Sequence, residues 1–228
     1  MTSRPTALVT GATGGIGLEL ARSLASTHDL VLTGRSDQKL AALRAEFPNA
    51  RVLALDLSRP ADLAANLPPF EALDVLIHNA GVAELGTVAE TPADVWDETM
   101  RVNVLAPAEL TRLLLQALRA ARGHVVFVNS GAGLNASPGW GPYAASKFAL
   151  KALADALRGE ESSRGVRVTT VYPGRTATDM QRHVRQQEGG AYQPDVYIRP
   201  SSVARTILAV LSTPRDALLT DVTVRPSE

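Results

Sequence analysis

The chain of 228 residues contains no cysteine. Disulfides, thiolate nucleophiles, iron–sulfur clusters and cysteine-type zinc sites are thereby removed together. Net charge is missing too, because 23 basic residues balance 23 acidic ones. DNA, RNA and anionic membranes all reward a basic face, so neither nucleic acid nor a membrane is expected as a partner. No apolar run approaches the ~18 residues of a membrane span. The opening stretch MTSRPTALVTG reaches polar residues and glycine before a secretory apolar segment builds up, so a cytoplasmic location is expected. His28, His78, His124 and His183 are scattered without metal-ligand spacing, and no metal is expected. Repeats, low-complexity tracts and linkers are also lacking, so residues 1–228 are expected to form a single domain.

What is present is a globular composition, with 45% hydrophobic and 20% charged residues. Short apolar, β-branched runs at Thr6–Thr10, Leu30–Thr33, Arg51–Leu55, Asp74–His78, His124–Asn129, Val166–Val171 and Leu218–Val224 predict seven strands. Between them Ile16–Ser26, Asp37–Glu46, Ala93–Ala121, Tyr143–Ser163 and Ser201–Leu211 repeat leucine and alanine at helical spacing. Strand–helix alternation implies a parallel sheet buried on both faces, which suits continuously apolar runs such as VVFV. The fold expected is an α/β doubly wound, seven-stranded parallel sheet of Rossmann type. Pro107 is expected to kink or interrupt the long Ala93–Ala121 helix, because it lacks an N–H. Residues 183–200, with Gly189-Gly190, Pro194 and Pro200, read as an irregular substrate-binding loop.

The first strand runs into Thr10-Gly11-Ala12-Thr13-Gly14-Gly15-Ile16-Gly17, a glycine-rich turn opening a helix. Glycines allow close backbone approach there, and the helix N-terminus offers free N–H groups and a favourable dipole to a pyrophosphate. Tyr143 and Lys147 lie four apart on a predicted helix, so they share a face. A phenol ordinarily near 10 is a poor base at neutral pH, and an adjacent ammonium is expected to lower it. That pair suits reversible proton transfer. Ser130 ends the fifth strand, at the carboxyl edge where parallel sheets bind ligands, and can donate to the same oxygen.

The glycine spacing resembles that of the short-chain dehydrogenase/reductase family, and further motifs repeat the resemblance. Asn79-Ala80-Gly81 follows the fourth strand, Asn103 sits within VNV, and Tyr143-Ala144-Ala145-Ser146-Lys147 supplies the family's tyrosine and lysine. Pro173-Gly174 with Thr178 matches the turn after the sixth strand. The family's thirteen-residue step back from the tyrosine selects Ser130 over Ser137 and Ser146. The resemblance implies Asn103, Ser130, Tyr143 and Lys147 as catalytic residues, with Asn103 distorting its helix and holding a water. It implies a cofactor site of Gly11, Thr13, Gly15, Ile16, Gly17, Asp56, Leu57, Asn79, Ala80, Gly81, Tyr143, Lys147, Pro173 and Gly174, with Thr176 or Thr178 at the nicotinamide. Asp56 can equally cap a helix.

The second strand ends Leu32-Thr33-Gly34-Arg35-Ser36, with Gly34 where an NAD-preferring site places an acid. Arg35 and Ser36 can meet a 2′-phosphate, so NADP(H) is the expected cofactor, although Gly14 stands where many NADP-dependent relatives carry a second basic residue. The function implied is hydride transfer between NADP(H) and a small-molecule carbonyl or alcohol, with Tyr143 as general acid/base. A non-catalytic NADP(H)-binding sensor or scaffold on the same fold is the alternative. Arg175 reads either as a partner for an anionic substrate or as a surface arginine. Leucine and alanine at Leu113–Leu115 and Ala149–Leu157 exceed what one sheet face covers, and with the resemblance they imply a homodimer or homotetramer.

Overall fold

Alternating side chains sort the apolar residues into two cores. Ala7, Val9, Leu30, Leu32, Val75, Ile77, Val126 and Val128 face one way, while Leu8, Val31, Leu76, Val125 and Phe127 face the other. This is the period-2 alternation of strands covered on both faces. The computed structural model describes residues 4–227. Residues 1–3, where the opening stretch begins, and Glu228 lie outside the described residues, although the single-domain expectation includes them.

The strands are β1 (Thr6–Val9), β2 (Asp29–Gly34), β3 (Arg51–Ala54), β4 (Val75–His78), β5 (His124–Val128), β6 (Arg167–Pro173) and β7 (Asp221–Val224). They form one seven-stranded sheet in the order β3-β2-β1-β4-β5-β6-β7, and every neighbouring pair is parallel. Around them run α1 (Gly15–Leu24), α2 (Asp37–Glu46), α3 (Leu63–Asn66), α4 (Ala93–Met100), α5 (Ala106–Ala121), α6 (Gly141–Glu161), α7 (Asp179–Gln187) and α8 (Pro200–Ser212). One core takes Leu20 and Leu24 of α1 with Val203 and Ile207 of α8. The other takes Leu110 and Leu114 of α5 with Leu150 and Leu157 of α6. The strand order reverses between β1 and β4, which opens the crevice at their carboxyl ends.

The predicted 93–121 helix is broken into α4 and α5 by a π-turn at Arg101–Leu105. Pro107 is the second residue of α5 and has no N–H to give to the carbonyl four residues earlier, that of Asn103. The predicted irregular segment 183–200 begins in a helix, because α7 continues to Gln187. The buried histidines are held by threonines: His78 Nε2 lies 2.8 Å from Thr111 Oγ1, and His124 Nε2 lies 2.8 Å from Thr169 Oγ1. Burial pushes both down to about 3, so both are neutral.

Candidate active site

The glycine turn is shaped by what cannot fit. Gly11 and Gly15 have φ of 65° and 54°, the left-handed region that favours glycine. A Cβ on Gly11 would lie 2.8 Å from the Cα of Ala80, and one on Gly17 would run into the carbonyl oxygen of Gly11. The turn is stitched to the end of β4 by side chains. Thr10 Oγ1 accepts from the Asn79 and Ala80 amides at 3.0 and 3.1 Å, and Asn79 Nδ2 donates to the carbonyls of Thr10 and Gly11 at 3.0 and 3.1 Å. Gly14 brings no side chain to cap α1, so the first amides of that helix are left for a ligand. Open space lies where its Cβ would be. This cradle fits a diphosphate.

A cleft of about 690 Å3 runs from the turn along the carboxyl ends of the strands, within the range of small-molecule sites. Every residue assigned to the site from the sequence lines it except Gly17, Ser36 and Asn103. Gly17 lies beneath the turn as a packing position. Ser36 is the N-cap of α2 and accepts from the Lys39 amide at 3.5 Å, so it serves the helix, not the cleft wall.

At the catalytic end, Ser130 follows β5 and its Oγ accepts from the Ala132 amide at 3.1 Å. Tyr143 and Lys147 rise from the first turns of α6, where Lys147 Nζ donates to the Val128 carbonyl at 3.3 Å and lies 5.8 Å from the Tyr143 ring centre. Burial pulls the Lys147 ammonium down to about 8. Burial pushes the Tyr143 phenol up, with the Ser130 hydroxyl opposing it. Burial thus moves the phenol in the direction opposite to the one expected from a neighbouring ammonium. Tyr143 is therefore protonated at neutral pH.

Asn103 is buried behind this wall. Its Oδ1 accepts from the Val82 amide at 2.9 Å, and its Nδ2 donates to the Val82 carbonyl and to Ser146 Oγ, each at 2.9 Å. Ser146 in turn donates to the Tyr143 carbonyl at 2.7 Å. Every polar group of the Asn103 side chain is thus engaged, which makes it a positioning residue that ties the loop after β4 to α6. Its helix is distorted as the resemblance implied.

At the opposite end of the cleft, Arg35 is joined by Lys39, which the sequence reading missed. A Cβ on Gly34 would run into Thr13 Cγ2. An acid at that position would require Thr13 to turn. Asp56 lines the cleft and also accepts from the Ser58 amide at 3.0 Å and its hydroxyl at 2.7 Å, which hold its carboxyl below the usual range. Asp56 therefore closes a turn with Ser58 and is not a helix cap, since Arg59 stands at the N-cap of the 3-10 turn Pro60–Asp62 that follows. Thr176 and Thr178 both line the cleft as well, and Thr178 caps α7 by accepting from the Gln181 amide at 3.2 Å.

Arg175 is neither free for substrate nor a bare surface residue. Glu188 takes its guanidinium at 2.7 and 2.9 Å, and also takes Arg185 at 2.6 Å. The same region is latched to the loop after β4, since Gln187 donates to the Ala83 carbonyl at 2.9 Å and accepts from the Leu85 amide at 2.8 Å.

The family model for short chain dehydrogenases matches residues 5–189 of the chain. The chain belongs to the short-chain dehydrogenase/reductase family of oxidoreductases. Dehydrogenase/reductase SDR family member 7B of Xenopus laevis is 33% identical over 233 residues, covering 93% of this chain and 72% of that protein. Member 11 of the same family from Bos taurus is 32% identical over 244 residues, covering 97% and 96%. Among solved structures, a short chain dehydrogenase from Escherichia coli complexed with NADPH has a TM-score of 0.82 at 30% identity, covering 96% of this chain and 95% of that one. A metagenomic short-chain oxidoreductase in complex with NADP has a TM-score of 0.81 at 30% identity, covering 98% and 97%.

Within the family site, three residues besides Lys39 escaped the sequence reading. Asn129 donates to the Lys147 carbonyl at 3.1 Å and accepts from the Ser130 amide at 2.9 Å, so it fixes the serine against α6. A buried polar residue ending the apolar run VVFV was the available signal. Ser146, in the sequence only an alternative to Ser130 as hydroxyl donor, serves as the bridge to Asn103. Arg225 reaches the cleft from beyond β7, and no local spacing marks it.

Proposed function

We propose that this protein is an NADP(H)-dependent oxidoreductase that interconverts a carbonyl and an alcohol, with Tyr143 as general acid/base. The observation that carries the reading is the convergence of Ser130, Tyr143 and Lys147 in the same cleft as the glycine turn. NADPH, when bound, supplies a hydride to the carbonyl carbon. Tyr143 holds the proton that the carbonyl oxygen takes up, and the resulting phenolate recovers one from solvent. Ser130 donates to the same oxygen and so stabilises the charge that gathers there. Lys147 supports the phenolate electrostatically and offers donors to the cofactor ribose. Arg35 and Lys39 form the cationic end expected to favour a 2′-phosphate.

Relatives at 30% identity that were solved with NADPH or NADP support that cofactor. A cysteine-free chain suits a reducing cytoplasm. Residues 188–200 are proposed to close over substrate, and half-exposed Leu105 and Phe148 beside α5 and on α6 suit a homodimer or homotetramer. The test of function is loss of NADPH absorbance with a panel of ketones, aldehydes and 3-oxoacyl thioesters. A sensor or scaffold would bind NADPH and turn over none of them.

A further inference from the structure

We propose that Arg225 is a substrate-binding residue that takes the carboxylate of an oxo-acid substrate, which names a substrate class for the reductase reading above and rests on it. The sheet itself delivers this side chain. Val224 pairs with Pro173, and the Gly174 amide donates to the Val224 carbonyl at 2.8 Å, so the next residue emerges at the turn after β6. Arg225 then lies across two glycines. Its Cδ is 3.7 Å from where a Cβ on Gly174 would be, and its Nη1 is 2.5 Å from where a Cβ on Gly131 would be.

The second distance places the guanidinium within about 4 Å of the Gly131 Cα, given a Cα–Cβ bond of about 1.5 Å. Gly131 directly follows Ser130. The cation therefore stands one residue from the hydroxyl proposed to meet the carbonyl oxygen, in a cleft that Asn135 and Ser137 also line. A side chain at residue 131 would displace it.

The other charges of the cleft leave this one uncommitted. Arg175 is held by Glu188, and Lys147 is buried against the Val128 carbonyl. Of the two carboxylates that line the cleft, Asp56 is engaged by Ser58 and Asp179 opens α7. Among the described residues no carboxylate is paired with Arg225. A planar fork of donors beside a bare glycine matches a carboxylate through two parallel charge-assisted hydrogen bonds. The substrate class that fits is a carbonyl compound carrying a carboxylate a few bonds from the reacting carbon.

The test uses 2-, 3- and 4-oxopentanoate beside their methyl esters, with NADPH, in wild type, R225M and R225K. Expected is a wild-type preference for the acid over its ester in kcat/KM of tenfold or more at one chain length, expressed in KM. That ratio should fall at least tenfold in R225M, about 1.4 kcal/mol, and recover in part in R225K. An acid-to-ester ratio unchanged in R225M at every chain length would overturn the proposal. So would weaker NADPH binding in R225M as the sole effect, since that would assign Arg225 to the cofactor. Calorimetric titration of each acid into the NADP+-loaded protein separates this proposal from the reductase reading. If no compound is reduced, the reductase reading falls, while a tenfold weaker binding of one acid to R225M still supports the Arg225 site, and equal binding rejects it.

Discussion

Replacing Lys147 by methionine is expected to make the protein more stable while it damages the chemistry. Lys147 is almost fully buried and is held at about 8 instead of its ordinary 10.5. Keeping that ammonium charged inside the fold costs about 3 kcal/mol at neutral pH, by the conversion of 1.36 kcal/mol per decade. The variant loses the hydrogen bond from Nζ to the Val128 carbonyl, which returns about 1 kcal/mol. The net gain is about 2 kcal/mol, or about 4–8 °C in Tm for a domain of this size. The pH dependence identifies the cause. Between about 8 and 10.5 the unfolded chain binds more protons at this site than the folded one, so wild-type stability rises with pH through that window. Below about 8 the penalty is complete and constant. Denaturant unfolding of both proteins at pH 7, 9 and 10.5, without cofactor, should therefore show a gap that closes as pH rises. A methionine variant less stable than wild type at pH 7, or a gap independent of pH, would refute the reasoning.

Removing both cations of the adenine end, as R35A with K39A, should raise the KM for NADPH at least tenfold and leave that for NADH within about threefold, read by steady-state kinetics. Glu161 is buried and is bound by Arg119 at 2.6 and 2.8 Å and by Arg164 at 3.1 Å, which hold its carboxyl below the usual range. E161Q should cost about 2–4 kcal/mol in denaturant unfolding at pH 7. The loss should shrink as pH falls through the lowered value, because the wild-type carboxylate is then protonated too. Light scattering at micromolar concentration should return the mass of a dimer or tetramer, and a monomer would contradict the assembly proposed.

The parts of this protein written in local pattern are the parts the sequence displays. The apolar alternation of VLIH and VVFV, the glycines of residues 11–17 and the four-residue step from Tyr143 to Lys147 each act through neighbours in the chain. Helix α7 escaped because DMQRHVRQQ is polar throughout apart from Met180 and Val184, and it is latched by Gln187 to a loop about a hundred residues away. Arg175 could not be placed without Glu188, which is brought to it by the fold of that helix. The direction in which burial moves the Tyr143 phenol is illegible in the sequence for the same reason. Spacing shows that an ammonium is near, whereas the decisive quantity is the burial of both groups. Arg225 reaches the backbone of Gly131 only through the pairing of β6 with β7.

Tyr143 is the proposed donor of the proton in carbonyl reduction. Its most direct test compares wild type with Y143F, in NADPH oxidation against the carbonyl panel and in NADPH affinity by fluorescence titration. The substitution removes the phenolic O–H and leaves the ring packing and the glycine turn in place. Turnover is expected to be at least ~1,000-fold lower in Y143F, with NADPH bound as tightly as by wild type, on the scale of general acid catalysis of about 10²–10⁴. Y143F activity within a few-fold of wild type would contradict it.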